Sequence, residues 1–410
     1  MAGYAKIDKA QMAQANKYNV LKCLMRETPI NRAAIARKTE LSIPSVMTIT
    51  DDLLASGIIA PGGKGESTGG KRPELLELVP DRLFYIGVDV GRTMVRVVGI
   101  DLACQVRFSC REETGDPFPE RAFVDRLCRL VERAAQALGE PEKLMGVGIA
   151  MPGLIERETG RVLFSPDFEW KDVPLQDWMG ERLPYRVLVE NANRALALNE
   201  VWALQTGEGA GDHTTLCVNL GHGIGGALVM GESDIYCGSS GTSGEIGHIT
   251  VDKNGPLCAC GNAGCLEAMA GGEAIARQAR DTVACGIDSQ IAVLSGGAPQ
   301  RVDARVVFEA AKAGDDTAKS ILDRAAEYIG IGLATAINLL DPDWVVLCGG
   351  LMKNGPGFLE DIRRNTLRHK MRQAGRRVDI RCGTLEEYST AVGACRVIAN
   401  ELWRRRELPV

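Results

Sequence analysis

Three cysteines and one histidine near the middle of the chain constrain its fold more than any other feature. Cys258, Cys260 and Cys265 fall within eight residues, and His248 precedes the first of them by ten positions. Thiolates and a neutral imidazole are the ligands that Zn²⁺ prefers in closed, four-coordinate structural sites, and Gly261 permits the tight turn that such a site needs. The spacing therefore predicts a structural zinc site. The alternative is three buried cysteines beside an unrelated loop.

The composition is typical of a globular protein of two or three domains. The chain has 410 residues, of which 45% are hydrophobic and 25% are charged. Residues 1–15 are too polar for a signal peptide, and no apolar run reaches the roughly 18 residues that a membrane span needs. Thirteen cysteines without a secretion signal favour a reducing compartment. We therefore expect a cytoplasmic protein without a membrane span.

The charge is distributed unevenly along the chain. Residues 1–80 contain 11 Lys and Arg against 8 Asp and Glu, whereas the whole chain has a net charge of −5. A mildly basic head on an acidic body fits a nucleic-acid-binding head, although the excess is too small to decide this alone.

Helical patterns followed by two short strands occupy the head, residues 1–80. The first helical pattern covers residues 18–25, and two more begin after the capping residues Asn31 and Ser42. Two helices joined by a short turn are typical of a helix-turn-helix. Two strands bracket a glycine-rich segment at 62–73 and predict a β-hairpin wing. A helical interaction domain followed by a flexible linker is the alternative.

The predicted DNA contacts come from the third helix and from the wing. Small polar side chains suit a helix that lies against base edges and phosphates. Basic side chains suit a wing that meets the phosphate backbone or the minor groove. The predicted DNA-binding residues are Ser42, Pro44, Ser45, Thr48, Lys64, Lys71 and Arg72.

After the head, the pattern changes to buried strands that end on glycines. Asp89 and Gly91 lie at the turn of one strand pair, and Gly221 and Gly223 lie at the turn of a second. Two related hairpins predict two related α/β lobes. Strand ends that open on glycines are where α/β folds bind ligands, so we expect a cleft between the lobes. The predicted domains are a head at 1–80, a smaller lobe at 81–195 with 385–410, and a larger zinc-bearing lobe at 196–384.

The zinc motif resembles the signature of the ROK family, which comprises repressors, open reading frames and sugar kinases. Gly247 and His248 are followed, after nine intervening residues, by Cys-x-Cys-Gly-x-x-Gly-Cys-x-Glu at 258–267. The resemblance covers nearly the whole chain, and a winged head before such a body is similar to the repressor branch. It implies an actin-like, hexokinase-like body of ribonuclease H-like fold. It also implies a structural Zn²⁺ ion bound by His248, Cys258, Cys260 and Cys265.

The resemblance further implies a sugar in the cleft. Glu245 and Glu267 would accept hydrogen bonds from sugar hydroxyls, which carboxylates do strongly and directionally. His248 would lie beside the sugar while it binds zinc, and Asn191 would bind from the other lobe. The alternatives are surface charge for the two glutamates and a strand-end turn for Asn191.

One position departs from the kinase pattern of the family. Kinases follow Val-Glu-Asn with an Asp that deprotonates the sugar hydroxyl, whereas Ala192 follows these residues here. A methyl group accepts no proton, and loss of a general base costs about 10²–10⁴-fold in rate. Arg92 and His222 also stand where the kinase loops usually carry Gly and Thr. We therefore predict no catalytic residue.

These features together predict a sugar-responsive, DNA-binding transcriptional regulator, with a repressor of carbohydrate-metabolism genes favoured. Such a protein would bind a double-stranded DNA operator as a homodimer or homotetramer and a small sugar as its effector. The alternatives are a sugar kinase with a regulatory DNA-binding head and a repressor controlled by a partner protein. The sequence leaves open the identity of the sugar, the operator and the direction of the response.

Overall fold

The computed structural model describes residues 9–66, 72–205, 213–354, 356–372 and 378–405. The chain divides into two compact units, Met1–Ala195 with Thr390–Val410, and Leu196–Ser389. The head lies in the first unit, and its separation as a domain at residue 80 stays a prediction. Within the described ranges, every helix is too short or too polar to cross a membrane.

The first unit begins with three helices and a three-stranded sheet. These elements are α1 (Lys9–Arg26), β1 (Ile30–Asn31), α2 (Arg32–Thr39), α3 (Ile43–Ala55), β2 (Ile59–Lys64) and β3 (Glu74–Leu78). Strand β3 lies between β1 and β2 and is antiparallel to both. Leu21, Ile35 and Leu53 are fully buried, one from each helix. The apolar helix faces therefore form the core of the head.

Side-chain caps set the start of the second and third helices. Asn31 accepts a hydrogen bond from the backbone N–H of Ala34 at 2.9 Å, and Ser42 accepts one from Ser45 at 3.3 Å. Such caps satisfy amide groups that the first helical turn leaves without partners. Pro44 in the first turn of α3 needs no such partner. Helices α2 and α3 are therefore separated by a short turn.

The remainder of the first unit is built on a five-stranded sheet of order β11-β7-β4-β5-β6. Strand β4 is parallel to β7 and antiparallel to β5. A second, antiparallel sheet has the order β10-β9-β8. The elements are β4 (Phe84–Val90), β5 (Met94–Asp101), β6 (Val106–Glu113), α4 (Glu120–Leu138), β7 (Leu144–Met151), β8 (Leu154–Glu156), β9 (Arg161–Ser165), β10 (Trp170–Val173), α5 (Leu175–Gly180), β11 (Arg186–Asn191) and α6 (Ala192–Gln205), which continues into the second unit.

The C-terminal helix, Ser389–Arg405, packs directly on this sheet. A Cβ atom at Gly87 would lie 1.9 Å from the carbonyl oxygen of Ala391, so only glycine permits this close approach. The same helix contacts the head. The Tyr18 ring stacks on Trp403 with centroids 6.0 Å apart, and Gln14 Nε2 donates to the Trp403 carbonyl at 2.8 Å. Helix α1 and the C-terminal helix are thus joined by direct contacts.

The second unit has its own five-stranded sheet, of order β14-β13-β12-β15-β16. Its elements are β12 (Thr214–Leu220), β13 (Ile224–Met230), β14 (Asp234–Tyr236), α7 (Leu266–Ala270), α8 (Gly272–Ala284), α9 (Gln290–Leu294), α10 (Ala304–Lys312), α11 (Asp316–Leu340), β15 (Trp344–Cys348), α12 (Pro356–His369) and β16 (Asp379–Cys382). The 25-residue helix α11 contributes Ile329 and Leu333 to a core shared with Val218 and Val345 of the sheet.

The two large sheets have the same topology. In each, a central strand, β4 or β12, is antiparallel to the next strand and parallel to β7 or β15. A further antiparallel strand completes one edge and a further parallel strand completes the other. This repetition agrees with the predicted pair of related α/β lobes.

Candidate functional site

The four predicted metal ligands lie together in the second unit. One potential ligand atom of each lies within 4.8 Å of the others. His248 Nδ1 is 3.6 Å from Cys258 Sγ, and Cys260 Sγ is 3.6 Å from Cys265 Sγ. Tetrahedral zinc with Zn–S near 2.3 Å and Zn–N near 2.0–2.1 Å separates its ligand atoms by roughly 3.6–3.8 Å. The geometry of these residues therefore fits Zn²⁺.

Backbone contacts shape the loop that carries the thiols. Gly264 has a φ of +67°, and a Cβ atom there would lie 1.5 Å from the carbonyl oxygen of Asp252, so the position requires glycine. The Asp252 side chain also accepts a hydrogen bond from Tyr328 Oη of α11 at 3.1 Å. The backbone N–H of Cys258 donates to the carbonyl of Asn262 at 2.7 Å. The protein itself thus holds the ligands close together.

The three thiols differ in their affinity for protons. Burial raises the pKa of Cys265 to about 12 and also raises that of Cys258. A hydrogen bond from the backbone of Asn262 lowers the pKa of Cys260. Metal binding requires thiolates and therefore releases protons. Metal affinity should accordingly fall as the pH falls.

His248 lies between the thiols and a predicted sugar ligand. Its Nδ1 faces Cys258, and its Nε2 lies 3.9 Å from Glu245 Oε2. The side chains of His248 and Glu245 are 34% and 40% exposed, so solutes can reach both. The second nitrogen of a metal-bound histidine commonly donates to a carboxylate. A metal on Nδ1 would therefore orient the ring that faces Glu245.

Glu267 has a structural role that the sequence analysis missed. Its Oε2 accepts a hydrogen bond from the backbone N–H of Ile224 at 2.9 Å. A Cβ atom at Gly223 would lie 2.2 Å from the same oxygen. Glu267 therefore holds the turn between β12 and β13, and the sequence signal for this contact is the glycine at 223. A sugar contact by Glu267 stays a prediction.

Asn191 belongs to the first unit, whereas Glu245, His248 and Glu267 belong to the second. Its Oδ1 accepts hydrogen bonds from the backbone of Asn193 at 2.9 Å and Arg194 at 3.3 Å, which caps α6. Its Nδ2 donates to the Gly153 carbonyl at 2.9 Å. Asn191 thus has the strand-end role that was the alternative interpretation, and its sugar contact stays a prediction.

The glycine turn of the first unit carries charged groups. Burial raises the pKa of Asp89 to about 6, partly opposed by Arg96, whose Nη1 lies 3.4 Å from Asp89 Oδ2. Arg92 follows Gly91 and lies 3.6 Å from Asp167. An arginine in this turn changes the charge that an approaching phosphate would meet.

The predicted DNA-contacting residues lie on two parts of the head. Ser42, Pro44 and Thr48 are exposed near the start of α3, and Ser45 beside them is half-buried. Their hydroxyls make local hydrogen bonds: one of 2.8 Å joins the hydroxyls of Ser42 and Ser45, and the Thr48 hydroxyl donates to the Pro44 carbonyl at 3.2 Å.

The structure describes two of the three basic residues predicted for the wing. Lys64 ends β2, and Arg72 precedes β3 on the other arm of the hairpin. Both are exposed. Lys71 lies outside the described residues.

Comparison with known proteins identifies the family. The sequence model of the ROK family matches residues 85–401, so the chain belongs to the ROK family. The chain is 29% identical over 395 residues to a putative xylose repressor from Caldicellulosiruptor sp., covering 96% of this chain and 97% of that protein. It is 32% identical over 322 residues to a glucokinase from Thermotoga maritima, covering 78% of this chain and 99% of the kinase.

A solved structure shows the same fold over almost the whole chain. It is a ROK family transcriptional regulator, a homologue of the E. coli MLC protein, with a TM-score of 0.80 and 23% identity. The match covers 96% of this chain and 97% of that chain. The predicted fold class is confirmed by this match.

Proposed function

We propose that this chain is a transcriptional repressor of carbohydrate-metabolism genes that binds operator DNA through its head and a sugar through its body. The observation that carries the proposal is the extent of the likeness to the putative xylose repressor. That likeness spans 96% of the chain, whereas the family model begins only at residue 85. The segment before residue 85 contains α2 and α3 in the order of a helix-turn-helix, followed by a hairpin.

The proposed sugar contacts are the polar residues for which the family resemblance implies this role. Glu245, His248 and Glu267 are the proposed contacts in the second unit, and Asn191 is the proposed contact in the first. The exposed carboxylate of Glu245 beside the His248 ring supports this assignment, because a polyol is recognised by convergent acceptors and donors. Zn²⁺ on the three thiols and His248 would have a structural role, fixing the His248 ring and α7, which carries Glu267.

The response to sugar requires differential binding. A sugar changes DNA affinity only if it binds the DNA-competent and DNA-incompetent conformations with different affinities. The contacts of Tyr18 and Gln14 with Trp403 give the head a direct connection to the C-terminal helix. We propose that the protein acts as a symmetric dimer, which presents two α3 helices to half-sites about 34–36 Å apart.

A sugar kinase with a DNA-binding head is the second candidate, favoured by the 32% identity with the Thermotoga maritima glucokinase. We propose that this chain lacks kinase activity, because Ala192 stands at the first position of α6, where the family's base is expected. Loss of a general base costs about 10²–10⁴-fold. ATP turnover that depends on added glucose or xylose would support the kinase instead.

The repressor proposal is tested by fluorescence anisotropy on duplex DNA from upstream of the protein's own gene. The full-length, zinc-loaded protein is titrated at about 0.05 and 0.2 M salt, with and without pentoses, hexoses, amino sugars and their phosphates. We expect tight binding that weakens with salt and changes with one class of sugar.

Glu245→Gln should remove the sugar response but not DNA binding, whereas the exposed Glu158→Gln control should retain both. Failure to bind this DNA at low salt, with and without sugars, would contradict the proposal. DNA binding that no sugar alters would favour a repressor controlled by a partner protein.

A further inference from the structure

The outward surface at the start of α3 is largely apolar. Ile43 and Met47 are 45% and 48% exposed, and Pro44 between them is also exposed. Ile43 and Met47 are one helical turn apart, so their side chains are neighbours on one face. Helix α3 contains no Lys, Arg, His, Asn or Gln. It therefore lacks the side chains that make most bidentate contacts with guanine and adenine.

The hydroxyl groups beside this surface are engaged within the helix. Thr48 Oγ1 donates to the Pro44 carbonyl at 3.2 Å, and Ser42 and Ser45 share a hydrogen bond of 2.8 Å. A hydroxyl has a single proton to donate. These groups therefore offer few donors to a base edge, and the apolar side chains dominate the exposed face.

The second half of α3 is acidic, which limits how the helix can approach DNA. Asp51 continues the face of Ile43 and Met47 one turn beyond Met47, and Asp52 follows it. Asp51 pairs with Arg32 at 3.0 Å, and Asp52 pairs with Lys17 at 3.5 Å. Carboxylates close to phosphates are unfavourable. Both side chains remain more than half exposed despite these pairings, so the first two turns of α3 are better suited to enter the major groove than its second half.

Basic residues on the neighbouring hairpin indicate that this apolar face meets DNA and not an apolar protein surface. Lys64 and Arg72 are both exposed on the arms of the hairpin that follows α3. Lys and Arg attract phosphates irrespective of sequence, which positions a protein on the duplex without selecting a base. Selection then depends on what the exposed face of α3 contacts.

We propose that Ile43 and Met47 read the 5-methyl group of thymine in the major groove, with Met47 as the main specificity-determining residue. The thymine methyl is the apolar feature of the major-groove edge, and apolar side chains are its natural partners. This inference rests on the proposed DNA-binding function and adds the base feature that is read. Loss of one buried methyl contact should weaken binding roughly fourfold.

The test uses DNA in which only the methyl group is removed. A library of duplexes with about 30 randomised base pairs is selected on the full-length, zinc-loaded protein at roughly 0.1 M salt. The enriched duplex is resynthesised with single deoxyuridine replacements for thymidine, and each Kd is measured by anisotropy. We expect one or two replacements in each half-site to raise Kd roughly three- to fivefold.

Variants assign the effect to the side chain. Met47→Ala should bind the thymidine duplex roughly fourfold more weakly and should no longer distinguish uracil from thymine at one of these positions. Met12→Ala, at a methionine of α1 that is 54% exposed, is the matched control and should keep the distinction.

The outcomes separate this inference from the function on which it rests. Enriched half-sites without thymine, no effect of any uracil, or full uracil sensitivity in Met47→Ala would overturn the inference alone. Failure to enrich any duplex would overturn the proposed DNA binding and the methyl readout with it.

Discussion

The two units share one sheet topology but differ in the chemistry at their equivalent turns. In the first unit, the turn after β4 follows Asp89, whose side chain is 14% exposed and pairs with Arg96. In the second unit, the turn after β12 is held by the Glu267 carboxylate, which lies two residues after a predicted metal ligand. A shared topology therefore fixes where strands end and turns lie. The side chains at those turns determine what each unit can bind.

The largest predicted effect is in the second unit, on removal of a metal ligand. Cys265→Ser should abolish binding of one zinc ion and lower the free energy of unfolding of that unit by about 4 kcal/mol or more, because metal binding is coupled to folding. Zinc content and hydrogen exchange measured together should show lost protection in the second unit and not the first. Cys285→Ser, at an exposed cysteine outside the cluster, is the control. Retention of zinc by the Cys265 variant would contradict a four-ligand site.

The second-largest predicted effect is a dependence of stability on pH that arises in the first unit. Because burial raises the pKa of Asp89 from 3.8 to about 6, the folded protein binds this proton more tightly than the unfolded chain. The associated stabilisation is complete below pH about 4 and is lost as the pH rises to about 6. Relative to Asp89→Asn, the native protein should lose about 2–3 kcal/mol of unfolding free energy between pH 4 and 7.

Urea unfolding at four pH values measures this difference, with the exposed Asp288→Asn of the second unit as control. The difference in unfolding free energy between the native protein and Asp89→Asn should therefore change with pH. A difference that stays constant would show that folding does not raise the pKa of Asp89.

Weakening the turn of the second unit should have a smaller effect on stability. Glu267→Gln replaces a charged acceptor for the Ile224 N–H with a neutral one, at a cost of about 1–2 kcal/mol. Gly223→Ala places a methyl group where Glu267 lies, and should disturb the same turn. Calorimetry should show roughly tenfold weaker sugar binding in both variants. The control variant Glu158→Gln should bind sugar as tightly as the native protein. Unchanged sugar affinity in both variants would show that the turn between β12 and β13 does not contribute to sugar binding.

The smallest predicted effect is the gain from restoring an acid in the first unit. Ala192→Asp should raise sugar phosphorylation by less than about tenfold, because Arg92 and His222 still occupy the two glycine turns and phosphoryl transfer depends on positioning. A coupled ATP assay measures this, with Ala192→Asn as the uncharged control. A gain near 10²–10⁴-fold would show that the base alone was missing.

The parts of the molecule that sequence predicted well are those built by neighbouring residues. The four predicted zinc ligands lie within one short segment and are close together in the structure, and the caps at Asn31 and Ser42 act on residues three positions away. The repeated strand–glycine–strand pattern likewise indicated two related lobes, because hairpin partners are adjacent in sequence.

The features that sequence could not predict depend on distant partners. Tyr328 reaches Asp252 across 76 positions, and Glu267 reaches Ile224 across 43. The raised pKa of Asp89 arises from burial beneath other elements. The exposure of Met47 on α3 and the pairing of Asp52 with Lys17 of α1 likewise required the tertiary structure.

The most direct test of a sugar-responsive repressor is the sugar affinity of the full-length, zinc-loaded protein, measured by calorimetry with and without saturating duplex DNA. Coupling between two binding sites is reciprocal. We therefore expect DNA to change the sugar Kd by the same factor as the sugar changes the DNA Kd, within about 5- to 150-fold. A sugar Kd that is identical in the free and the DNA-bound protein would contradict a repressor whose DNA binding is controlled by sugar.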